Sequence, residues 1–294
     1  MTNTASQLCP TARLSKPARQ RAVDFILQYG TNLQRERYLY RFQESPSNLN
    51  VLASLPHYQN SDGGFGHGLE ADLRTRHSSV IATTIAMQIL VSVDAGSSKL
   101  ASDALNYFID EYHCQNWSAI NIRCNDAPHA PWWKYNPDTN SDKSFVANPG
   151  AEIISYLIGH HAMGAEIPVL LDRAISHLAG NDLEMHELMC YTRLFENPDL
   201  DEKYKREMLP YLLSNSYRLV KVKEQDWEEY CLTPLTMISH PDSIYTDFFS
   251  DVLEQNFVFR INRQNDDGSW SPNWSWGVSL LLRGKASKQR SRSS

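Results

Sequence analysis

The chain has 294 residues with 28 basic and 34 acidic side chains, a formal charge of −6, which argues against nucleic-acid binding by bulk electrostatics. With 41% hydrophobic and 21% charged residues it can bury a core, which excludes a disordered or collagen-like polymer. The charge is uneven. Arg283, Lys285, Lys288, Arg290 and Arg292 crowd residues 283–294 without an acid, leaving 23 basic against 34 acidic residues, about −11, before them. We therefore expect one domain over residues 1–282 and a solvated, disordered basic tail over 283–294. Residues 1–13 lack the apolar core of a signal peptide, and no apolar run reaches the roughly 18 residues of a membrane span. Five scattered cysteines without a Cys-x-x-Cys pair suit reduced thiols. Together these predict a cytoplasmic protein without stable membrane insertion.

Helical signals dominate in chain order. Ser15 before Pro17 starts a helix that Gly30 stops. Ser45-Pro46 starts another, ended near Pro56. Residues 79–93 are apolar on nearly every face, the mark of a helix buried on both sides. Residues 99–112 form its amphipathic partner, with Leu100, Ala104, Leu105 and Phe108 on one stripe. Residues 149–164 repeat the apolar pattern, and helices follow near 167–179, 183–195, 201–219 and 246–262. Residues 117–123 are the one strand candidate. The fold class is all-α, with more-buried and less-buried helices alternating. An α-solenoid or a closed ring of helical hairpins fits that alternation. No period of 34–47 residues runs through the chain, which disfavours the solenoid.

One turn motif occurs twice. The first copy runs Gln59-Asn60-Ser61-Asp62-Gly63-Gly64-Phe65, the second Gln264-Asn265-Asp266-Asp267-Gly268-Ser269-Trp270. Asp-Gly permits a tight positive-φ turn, the Gln can bond loop backbone, and the aromatic can pack on a neighbouring helix. The motif reads as a clasp between hairpins, with Trp270 expected to be buried.

This Gln-x-x-Asp-Gly-x-aromatic turn resembles the QW motif of the terpenoid cyclase and protein-prenyltransferase β-subunit superfamily. Residues 62–79, with His129-Ala130-Pro131-Trp132-Trp133, Asn148-Pro149-Gly150-Ala151-Glu152 and residues 271–277, also look like a bacterial prenyltransferase-like family. The resemblance covers about residues 20–282. It implies an α/α toroid of helical hairpins around a central pocket, with its closure at the C-terminus left open by the altered tail. It implies an enzyme acting on an isoprenoid or similar amphiphile, a small-molecule partner. The Asp-x-Asp-Asp motif of the cyclases and the zinc-binding Asp-x-Cys of the prenyltransferases are both missing from the sequence. A carbohydrate-active (α/α) barrel, lyase or hydrolase, is the alternative, and a non-catalytic ligand-binding toroid a third. The cofactor is unknown.

The candidate site residues follow from local density. Asp62, Glu70, Asp72, Arg74 and His77 lie in a Gly-rich loop before the most apolar helix, and with His129 they are the catalytic candidates. The structural alternative pairs Arg74 with Glu70 or Asp72 and uses His77 or Ser78 as a cap. His67, Trp132, Trp133, Tyr135 and Glu152 are the substrate-binding candidates, the aromatics as a platform and Glu152 alternatively as a partner of a helix dipole. Asp182, His186 and Cys190 stand at i, i+4 and i+8, a span of roughly 12 Å, too long for one metal ion. No metal ligands are assigned, and Asn181 with Glu184 is expected to form a capping box.

Overall fold

Side-chain caps mark the points where this chain enters its helices. Ser15, Thr31, Ser79, Ser98 and Asp201 each accept a backbone N–H of the turn that follows them. The computed structural model describes residues 12–43, 46–137 and 145–274. Within them lie α1 (Lys16–Tyr29), α2 (Asn32–Phe42), α3 (Leu49–Ser54), α4 (Val80–Ser92), α5 (Lys99–Asp110) and α6 (Ala147–Gly159). The series continues with α7 (Ile167–Gly180), α8 (Met185–Phe195), α9 (Glu202–Leu219), α10 (Pro234–Met237), α11 (Ile244–Phe248) and α12 (Ser250–Asn262). The fold is all-α. Extended pairing among the described residues is limited to isolated bridges. The basic tail, Cys9, Ser45 and the second half of residues 271–277 lie outside the described residues.

Three sequence expectations need correction. Residues 117–123 form no strand. Trp117 is buried and donates its indole N–H to the Phe108 carbonyl at 2.7 Å, so the β-like composition serves packing instead. α2 was not foreseen, because its Thr31/Gln34 capping box opens a segment with little apolar content. The box at α8 is shifted: Glu184 itself is the N-cap, with Glu187 as its reciprocal partner.

Burial sorts the helices into two rows. α6 packs between α4 and α8, while α5, α7 and α9 lie against α4, α6 and α8 respectively. Ten of the thirteen residues of α6 are buried but only four of eighteen in α9, so the α4–α6–α8 row is the core and the other row covers it. α6 and α8 run parallel. Asn148 near the start of α6 meets Cys190 midway along α8, and Ser155 further on is bonded by Asn197 just beyond its end.

The two repeated turns are built alike. Gln59 Nε2 donates to the Gly63 carbonyl (2.9 Å), as Gln264 Nε2 does to Gly268 (3.1 Å). Asp62 and Asp267 each accept the N–H two residues on, both at 3.0 Å. Gly63 and Gly268 have φ of +85° and +92°. Each turn then docks on the first turns of a helix, three residues apart. Gln59 reaches Leu100 and Gly63 abuts the Asp103 carbonyl in α5; Gln264 reaches Ala18 and Gly268 abuts the Arg21 carbonyl in α1. The aromatic positions differ. Phe65 is fully buried, but Trp270 is 38% exposed and held through its indole N–H on the Arg260 carbonyl. The second turn is therefore fastened by backbone contact with α1, and the expected burial of Trp270 is not found.

A candidate site at one end of the core helices

Two loops build the candidate site. Residues 66–78 lead into α4, and residues 127–135 precede α6. Backbone bonds hold them together: Arg74 N–H donates to the Pro128 carbonyl (2.9 Å), and Ala130 N–H to the Asp72 carbonyl (2.8 Å). This pairing brings Glu70, Asp72 and Arg74 together with His129 and Trp133. The Glu70 carboxylate accepts the Asp72 N–H at 3.1 Å. Burial first, and the neighbouring Asp72 charge with it, push the Glu70 carboxyl above the usual range against weaker opposition from the Asp72 N–H, Trp133 and Arg74. The Trp133 indole N–H is buried close by without a hydrogen bond of normal geometry. Arg74 is exposed and makes no ion pair with Glu70, so the expected guanidinium–carboxylate pair does not form there. His129 Nδ1 lies 2.9 Å from the Ala130 carbonyl, which can only accept, so that nitrogen carries a hydrogen.

The remaining candidates lie elsewhere. Asp62 accepts from Gly64 N and from Ser78 Oγ (2.8 Å), inside the first turn. His67 Nε2 donates to Asn60 Oδ1 at 3.0 Å, and Asn60 in turn donates to the Arg76 carbonyl, so His67 and His77 flank that same clasp. Tyr135 is tied by its backbone to Asn125. Glu152 is buried within the core row. It accepts from Gln88 (2.8 Å), Tyr156 (2.5 Å) and Arg193 (3.0 Å), with the Cys190 thiol 3.7 Å away. His186 and Cys190 therefore face different partners, and the spacing that links them in sequence links nothing in space.

Further segments reach the loop pair. Trp132 meets Trp274 edge to face, with centroids 6.0 Å apart and rings 51% and 38% exposed. Asn273 donates to the Glu229 carbonyl at 2.6 Å. Tyr230, next along, has its hydroxyl 2.9 Å from His186 Nε2, and His186 Nδ1 is 2.8 Å from Glu184 Oε2. Burial raises the Tyr230 phenol, and the charges of Glu184 and Asp72 raise it further, which brings the circuit back to the acidic loop. Segments 70–74, 129–133, 184–186, 229–230 and 273–274 are thus linked by contacts into one cluster on the side where α4 and α8 begin. The sequence reading missed Tyr230 and Glu184. They lie 46 residues apart, and no local spacing signals their meeting.

A separate cavity of about 810 Å³ lies between α1 and α2, lined by Phe25, Tyr29, Tyr38 and Phe42 and reaching Ser92 and Val93 at the far end of α4. The thirteen residues of α4 separate it from the acidic loop by roughly 20 Å. Among the described residues no group of three or more His, Cys, Asp or Glu side chains could hold a metal ion, and no helix is long and apolar enough to cross a membrane. Comparison with protein families, curated proteins and solved structures found no match.

Proposed function

We propose that the protein is an (α/α)-toroid enzyme performing acid–base chemistry on a saccharide at the mouth where the core helices begin. The toroid reading is supported by the repeated turn: α1 meets the second turn as α5 meets the first, so the chain's two ends join as successive hairpins would. The observation that carries the saccharide is the half-exposed Trp132–Trp274 pair beside Glu70 and Asp72. Open aromatic faces stack on sugar rings, and paired carboxylates cleave glycosidic bonds. Glu70, its carboxyl pushed up by burial, and Asp72 form the carboxylate pair that takes the proton of the attacking water. An isoprenoid site would need its acid and its apolar pocket in one place. Here the aromatic cavity and the carboxylates lie about 20 Å apart along α4, which favours the saccharide over the amphiphile.

The test is titration of a panel of neutral and acidic oligosaccharides, with a prenyl diphosphate as comparator, followed by product analysis. A saccharide should bind and be cleaved, Trp132→Ala should weaken binding about tenfold, and Glu70→Gln should abolish turnover while binding persists. Binding of the prenyl diphosphate with no response to any saccharide would refute this reading.

A further inference from the structure

We infer that Tyr230 is a proton donor of this mouth, aimed at the substrate by the Glu184–His186 pair behind it; the inference rests on the saccharide reading above. The geometry begins with Glu184. Its carboxylate caps α8, accepting the backbone N–H groups of His186 (2.9 Å) and Glu187 (2.9 Å), while its own N–H donates to Glu187 Oε2 (3.0 Å). A carboxylate so held is a rigid base for the ring at 2.8 Å. The hydrogen bond from His186 to Glu184 pushes the imidazole above its ordinary range, against an opposing effect of burial.

Direction follows from the partners. The Glu184 carboxylate can only accept, so Nδ1–H donates to it, and when the ring is protonated Nε2–H donates to the Tyr230 hydroxyl oxygen at 2.9 Å. The phenol hydrogen is then turned away from His186 and into the mouth. Burial and the charges of Glu184 and Asp72 keep that phenol protonated, and the protonated ring behind it stabilises the phenolate once the hydrogen leaves. In the step, the Tyr230 O–H bond breaks and its proton passes to the glycosidic oxygen as the C–O bond to that oxygen breaks; water adds to the freed carbon and gives one proton to the Glu70–Asp72 carboxylate pair. The phenolate left behind accepts the His186 N–H bond, and the proton taken up by the carboxylates returns to it through solvent. Once His186 loses its Nε2 hydrogen at higher pH, that nitrogen becomes the acceptor and the phenol turns back towards it. Glu184 and Asp72 are the charged groups bearing on this pair, and both hold protons in place.

Two measurements test this. Nitrogen-15 NMR of the histidines over pH should place the His186 midpoint above the free value of about 6.5, falling in both Glu184→Gln and Tyr230→Phe; a midpoint unmoved in either variant overturns the relay. With the saccharide that is turned over, Tyr230→Phe should lower kcat about 10²-fold with KM within about twofold. Glu184→Gln should move the alkaline limb of kcat to lower pH. An unchanged kcat in Tyr230→Phe refutes the donor role. If no saccharide is turned over, the function above fails, and the NMR result still decides whether Tyr230 is aimed by His186.

Discussion

Gly268 shows how one residue decides a contact. A Cβ there would lie 2.2 Å from the Arg21 carbonyl, and its φ of +92° suits only glycine. Gly268→Ala should destabilise the protein by more than about 1 kcal/mol, read in thermal unfolding. Phe65→Ala should cost roughly 3–5 kcal/mol, the range for a fully buried aromatic, while Trp270→Ala falls well below it because its ring is part exposed. Equal losses for the two aromatics would refute this difference. Glu70 gives a pH signature. Its folded carboxyl is raised above its unfolded value, so the folded state holds the proton more tightly and loses stability as pH rises through that window. Glu70→Gln should therefore unfold at higher temperature than wild type at neutral pH. The gain should vanish below about pH 4, where both forms are neutral.

At the scale of elements, the core row is joined by one buried carboxylate. Glu152 in α6 draws together Gln88 of α4, Tyr156 of its own helix and Arg193 of α8. Its side chain is 2% exposed, whereas that of Arg193 is 32% exposed. The two partners therefore differ. Arg193→Met strands a charge inside the core and should cost about 3–5 kcal/mol. Glu152→Gln keeps the hydrogen-bonding shape and leaves a cation that reaches water, so its cost should be smaller. A denaturant titration that reverses this order would show that Arg193 is the more deeply committed charge. α9 accommodates Pro210 inside its length, in keeping with its place in the outer row.

Across the whole molecule, stability is unevenly spread. No residue of α1 is buried and only Leu33 of α2, against ten in α6. Hydrogen exchange should be fastest in α1 and α2 and slowest in α6 and α8, because local opening follows the number of buried contacts. Slow exchange throughout α1 would contradict this gradient. The same two helices wall the aromatic cavity, and α1 carries the contact with the second repeated turn. The acidic mouth sits instead at the start of the well-buried row. The proton transfer proposed there requires rigid placement, and the core helices supply it.

Much of this was legible in the sequence, for local physical reasons. Ser15 caps its helix as its side chain dictates, and the all-round apolarity of residues 79–93 already requires burial on both sides, although the cap of α4 is Ser79 and not His77 or Ser78 as expected. The Asp-Gly turns followed from backbone sterics alone. The meeting of Glu70, Asp72 and His129 was also foreseen, though the bonds that make it join backbone to backbone and carry no residue signature. Other features were decided only by the tertiary structure. Trp270 and Phe65 occupy equivalent turns, yet different surroundings bury one and expose the other. Glu152, read as a ligand contact or a dipole partner, proved to be the junction of three helices. Glu184, His186 and Tyr230 form a chain of hydrogen bonds across 46 positions of sequence. Capping, turn chemistry and burial act within a few residues, so the sequence displays them. Which loops meet at the mouth depends on how the hairpins stack, and that arrangement exists only once the chain has folded.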